Sequence, residues 1–109
     1  MNFEDINKIG KSLPQIPIKR ILHDSDSVVT IEMHIPAGAM IGKHKHNYSH
    51  ISFLGSGKAI LHVEEEKQEM EGFKIVFIEA NKWHMVEAIT DVVWCCTHGA
   101  QESDLTTNE

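Results

Sequence analysis
The reading turns on one stretch, Gly38-Ala-Met-Ile-Gly-Lys-His44-Lys-His46-Asn-Tyr48-Ser-His50-Ile-Ser52-Phe-Leu-Gly-Ser-Gly57. Its three histidines, His44, His46 and His50, all stand at even positions. Side chains of an extended strand alternate between faces, so residues two or four apart share a face. If the stretch is extended, the three imidazoles point the same way. Such a cluster speaks for a metal more than for a core, because imidazole is the commonest metal-binding side chain and an i, i+2 pair can converge on one ion. Tyr48 and Ser52 share the parity and are expected to face the same cavity. Tyr48 is the candidate catalytic residue, able to donate a proton or a hydrogen bond to a substrate, with a place on the cavity rim as the alternative.

Working outward, Val29, Ile31, Met33 and Ile35 alternate with Thr30, Glu32 and His34, which predicts a strand with one buried face. Ile16, Ile18 and Leu22 begin an earlier extended run, closed by a turn at 24–27. After the Gly55-Ser56-Gly57 break, Ala59, Leu61 and Val63 mark another strand. The acidic run 64–69 reads as a solvated hairpin tip. Phe73 to Ile78 is a β-rich apolar run, predicted to be buried on both faces. Residues 85–90 and 92–98 give two further strands. His34 and His62 fall on the polar faces of their strands and are not expected to be ligands. Met33, Met85 and Val86 read as core and Trp83 as packing. His98 supports the histidine cluster or lies on the surface. Phe3, Ile6 and Ile9 suggest a helical turn at most, Pro14 and Pro17 exclude a regular helix nearby, and the polar tail from Gln101 is expected to fray. Seven or eight short strands with almost no helix make an all-β sandwich or barrel. The pattern alone does not choose between an immunoglobulin-like sandwich and a jelly roll.

The stretch resembles the first motif of the cupin superfamily: Gly, five residues, His-x-His, three or four residues, Glu, six residues, Gly. Gly38, His44, His46, His50 and Gly57 fit every spacing, with His50 where the family has Glu. The second motif, Gly, five residues, Pro-x-Gly, two residues, His, is matched more loosely from Gly72 to His84. Gly72 stands one residue early, Glu79 takes the proline position and Asn81 the second glycine position. Asn is the next best residue after Gly for a left-handed turn. The resemblance covers about residues 38–84 and implies a double-stranded β-helix, the cupin jelly roll. It implies one divalent transition-metal ion held by His44, His46, His50 and His84, and a homodimer.

A chain of 109 residues suits a single domain, here 1–109 with its core at about 16–98. The net charge of -6 argues against nucleic acid as a partner, since phosphate binding needs clustered Lys and Arg. No apolar run approaches the length of a membrane span, and the first residues lack the layout of a signal peptide. The only cysteines, Cys95 and Cys96, are adjacent and expected to be reduced. A cytoplasmic location is therefore expected.

Four neutral imidazoles would leave the charge of a divalent ion uncompensated. That makes it a stronger Lewis acid than in a three-His-one-Glu site and favours Zn²⁺, Ni²⁺ or Fe²⁺, with Cu²⁺ or Mn²⁺ as alternatives. The expected activity is a metal-dependent isomerase, cyclase, lyase or dioxygenase acting on a small polar molecule. The alternatives are a metal-loaded cupin that binds a small ligand without turnover, or one with a structural metal only.

Overall fold
The computed structural model describes residues 18–24, 28–99 and 106–108. The expected helical turn at Phe3–Ile9, the prolines after it and the turn at 25–27 lie outside them. Among the described residues there are ten strands and no helix: β1 Ile18–Asp24, β2 Val28–Ile35, β3 Met40–His46, β4 His50–Ser56, β5 Lys58–Val63, β6 Glu66–Glu71, β7 Lys74–Ile78, β8 His84–Ala88, β9 Val92–Gly99 and β10 Thr106–Asn108. They form two five-stranded sheets, ordered β1-β2-β9-β4-β7 and β10-β3-β8-β5-β6. All described pairings are antiparallel. The all-β expectation holds, and the architecture is the jelly roll.

The period-two pattern has its physical cause in the facing sheets. On the first sheet Met33 pairs with Trp94, Ile35 with Val92 and Leu54 with Trp94. On the second, Leu61 pairs with Val86 and Ala59 with both Ala88 and Met70. These residues form one buried cluster in which Leu54 and Ala59 have no exposed surface and Trp94 has 1%. A smaller cluster of Met40 and Met85, with Trp83 against it, lies on the other face of the second sheet. Met33, Met85 and Val86 are thus core as expected, Met85 in the smaller of the two clusters.

Two expectations are corrected. The run 73–78 is not buried on both faces. Val76 and Ile78 turn inward, but Phe73, Ile75 and Phe77 are 63%, 65% and 65% exposed, because β7 is the edge strand of its sheet and no described layer covers its outer face. The tail does not simply fray either: Thr106–Asn108 pairs with β3, Thr106 opposite His46 and Asn108 opposite His44.

One irregularity sets up the site. Ile41 lies opposite Val86, but the next paired residues are His44 and His84. The chain has advanced three residues on β3 and two on β8, so one extra residue sits in β3 as a bulge. A bulge switches parity. Ile41 packs against the core, yet His44 faces inward as well. Lys43 and Lys45 take the outer side, their ammonium groups 5.4 and 4.7 Å from the centre of the Trp83 ring.

Candidate metal centre
His44 and His46 come from the end of β3, and His84 opens β8 directly opposite His44. One ring nitrogen from each of the three lies within 4.8 Å of the others, a spacing that could hold a metal ion. Local hydrogen bonds fix two of these rings. His44 Nδ1 donates to the Gly42 carbonyl at 2.7 Å, and His84 Nδ1 donates to the Lys82 carbonyl at 2.9 Å. A carbonyl can only accept, so Nδ1 carries the proton and Nε2 of the neutral ring keeps its lone pair. This orienting bond to a backbone carbonyl is the arrangement that metal-binding histidines use.

The turn before His84 is tied to the same place. Asn81 has a φ of +63°, the left-handed conformation expected where the motif has Gly, and its N–H donates to the His46 carbonyl at 2.7 Å. The looser second motif thus performs its structural role with Asn. Gly38, Gly57 and Gly72 also have positive φ.

His50 reaches the cluster by a different route from the one parity implied. The chain turns at Asn47–Ser49 and His50 begins β4, in the opposite sheet. A single strand does not carry the three histidines; two walls do. The His50 ring centre is 5.2 Å from that of His46 and 5.5 Å from that of His84. His50 is 5% exposed, and neither of its ring nitrogens makes a well-formed hydrogen bond, the Tyr48 backbone giving only a weak contact. Burying an unsatisfied polar group is unfavourable, so this ring lacks something that the cavity would supply.

The electrostatics favour the neutral, ligating form. Burial, then repulsion from His46, His44 and His98, pulls the His50 pKa down from 6.5 to about 4, with the Tyr48 backbone offsetting it slightly. Burial, then His44, pulls His84 down to about 3, and the bond to Lys82 only partly offsets this. Both are neutral at pH 7, the state a metal requires.

Tyr48 lies in the turn, not on a regular strand. It is buried, stacks on His46 with ring centres 5.1 Å apart and meets the His98 ring at 5.0 Å. Ser52 faces inward with no exposed surface, and its hydroxyl lies 3.3 Å from the Cys96 sulfur. His98 therefore belongs to the site's surroundings. The signal was the alternation Trp94, Cys96, His98 on β9, since Trp94 is core and every second residue shares its face.

The two excluded histidines stay out of the cluster. His34 is exposed and lies 2.6 Å from Glu32. His62 pairs with Met85 on the outer face and lies 3.6 Å from Glu87. It is nonetheless buried, at 3% exposure, which a polar-face reading missed. Neither Cys95 nor Cys96 is in a disulfide.

The cupin domain family matches residues 31–98. No curated protein matches the chain. Among solved structures, an uncharacterised protein with a double-stranded β-helix domain from Klebsiella pneumoniae is 13% identical, covers 95% of each chain and superimposes with a TM-score of 0.73. An RmlC-like cupin from Shewanella frigidimarina is 18% identical over 77% of each chain, with a TM-score of 0.70. KdgF from Halomonas sp. is 15% identical over 83% of this chain and 84% of its own, with a TM-score of 0.73. At such identities the likeness to these structures is one of fold. The family match covers more than half of the chain, the fold is a two-sheet jelly roll, and the chain belongs to the cupin family.

Proposed function
We propose that this cupin is a small metal-dependent enzyme, with His44, His46, His84 and His50 holding one divalent transition-metal ion. The supporting observation is His50: a nearly fully buried imidazole whose nitrogens make no well-formed hydrogen bond, beside three histidines whose nitrogens converge. A bound ion would supply Lewis-acid stabilisation of negative charge developing on a substrate oxygen. The protein's own part is orientation. The Gly42 and Lys82 carbonyls hold the His44 and His84 rings with Nε2 available. Tyr48, stacked on His46, offers a phenol O–H at the edge of the cluster. Ser52, Cys96 and His98 give the opposite wall polar groups that fit a small polar substrate, such as an enolisable keto compound or sugar acid.

The test is elemental analysis of protein purified from its native source, followed by titration of the metal-free protein with Zn²⁺, Ni²⁺ and Fe²⁺. A screen of small keto and sugar acids on the loaded protein completes it. One ion per chain and turnover lost on Tyr48→Phe with the metal retained is the expected result. No binding of any of the three ions at micromolar concentration would overturn the metal site. Tight metal and ligand binding without turnover would leave a binding protein in place of an enzyme.

A further inference from the structure
The pairing of β3 with β8 runs through Met40 and Ile41 and ends at the His44–His84 pair. Lys45 and His46 lie beyond it. Among the described residues their strand partner is β10: Thr106 stands opposite His46, Thr107 opposite Lys45 and Asn108 opposite His44. A backbone bond from the Asn81 N–H to the His46 carbonyl, at 2.7 Å, also ties this end down. His44 is thus held between two strands, whereas His46 is held by β10 and a turn. Yet His46 is the ring around which the cluster is arranged. Its centre lies 4.9 Å from that of His44, 5.2 Å from His50, 5.4 Å from His84 and 5.1 Å from Tyr48.

We propose that β10 is a positioning strap for the metal centre: by pairing with the end of β3 it sets the backbone that aims His46, and its docking is coupled to metal occupancy. The inference rests on the metal centre proposed above and adds to it an element outside the histidine motif. Without β10 the last residues of β3 would be a free edge whose backbone groups turn to water. A ligand must stay within about 0.5 Å of its productive position, and a loose strand end does not hold a ring so closely. Three residues of pairing set a few hydrogen bonds against the entropy of fixing three residues. These opposing quantities are of similar size, so a strand this short docks near balance. A bound ion requires His46 in place and tips that balance toward docking. Linkage then makes the effect mutual: docked β10 tightens the ion by the same factor by which the ion tightens β10.

Calorimetric titration of the metal-free, full-length chain with Zn²⁺ tests this on the double substitution Thr106→Pro and Thr107→Pro. Successive N–H groups of a strand point to opposite sides, so one of the two prolines removes a donor facing β3. Affinity should fall about 10-fold or more, the usual cost of losing a group that supports a ligand. The pair Thr106→Val and Thr107→Val keeps both N–H groups and the strand propensity, and should bind as the parent does. A His46→Ala background separates positioning from a general loss of stability: there the prolines should cost little further affinity, because the ring they act through is gone. Undiminished binding by the proline variant, an equal loss in the valine variant, or a loss just as large without His46 overturns the proposal. A parent that binds none of Zn²⁺, Ni²⁺ and Fe²⁺ sinks the metal centre, and the strap's role with it. Should the proline variant not fold, hydrogen exchange on the parent decides. Protection of the 106–108 amides must rise about 10-fold when Zn²⁺ saturates the chain, matching the affinity change by linkage, and a β10 indifferent to the ion overturns the proposal.

Discussion

Replacing His50 by Leu should stabilise the metal-free protein while it destroys part of the site. Leu is close in size to the imidazole and fits a position with 5% exposure without opening a large cavity. The parent buries two ring nitrogens without a well-formed hydrogen bond. An unsatisfied buried polar group costs about 1–3 kcal/mol, which the substitution would return. In a domain of this size each kcal/mol moves the melting temperature by about 4–8 °C. With metal the order changes. Supporting residues behind a metal ligand are worth about 10–100-fold in affinity, and a ligand itself should be worth at least that. A parent saturated at about 100 times its Kd gains about 2.7 kcal/mol, while the variant at the same ion concentration gains little. Thermal melts in chelator and in Zn²⁺ or Ni²⁺ read both effects, and calorimetric titration gives the affinities. The variant should melt higher than the parent in chelator and respond weakly to metal. A variant that melts lower in chelator and is lifted by metal as much as the parent would refute the reasoning, because His50 would then be a satisfied core residue and not a ligand.

Other expectations follow from the same structure. The folded pKa values of His50, about 4, and His84, about 3, lie below the unfolded 6.5, so the unfolded chain binds more protons between them; metal-free stability should be full above about pH 6.5 and fall as the pH drops toward 3–4, which urea titrations at stepped pH will show and a flat profile would contradict. Metal affinity should weaken over the acid range too, because protons compete for the same nitrogens. His34→Gln and His62→Gln should leave metal content unchanged, since neither side chain is in the cluster, and loss of metal from either would mean that the strand register is wrong. Gly57→Ala should destabilise by about 3 kcal/mol or more, combining left-handed strain with a Cβ that collides with the Asp91 carbonyl oxygen; a melting temperature within 2–3 °C of the parent would rule that out. His50→Glu should retain metal but raise the pKa of its bound water, to be read as a shift in the pH profile of ligand binding.

Much of the fold was legible because most strands bury one face, and a one-sided strand writes its alternation into the sequence. Val28–Ile35 and Lys58–Val63 lie where alternation put them. β7 misled for the opposite reason. Apolar residues on both faces read as double burial, and nothing in a local pattern distinguishes a covered face from one left at the edge of a sheet. The histidine cluster was found through motif spacing, while the parity argument offered for it describes a strand that does not exist. His44 and His46 share a strand, but His50 arrives on the other sheet after a turn, and long-range pairing of that kind leaves no period in the chain. His62 shows the limit of reading polarity as exposure: its face is the outer one, yet the Met40–Met85 cluster and Glu87 share it.

The extra residue in β3 makes the spacing between Ile41 and His44 a matter of counting, not of chemistry. Three residues separate two inward side chains only because the bulge absorbs one of them. Removing Gly42 or Lys43 shortens that step to two, the step of a regular strand, so Ile41 and His44 would both still face inward. What the deletion takes away is the bulge itself, and with it the local geometry that lets His44 Nδ1 donate back to the Gly42 carbonyl. Metal affinity should then fall by about 10–100-fold through loss of ring orientation, while replacement of Lys43 by Gln should leave it unchanged, and equal affinity in the two would show that the bulge has no part in aiming the ring. The count of residues in β3 thus sets how His44 is aimed, and not whether it faces the cavity.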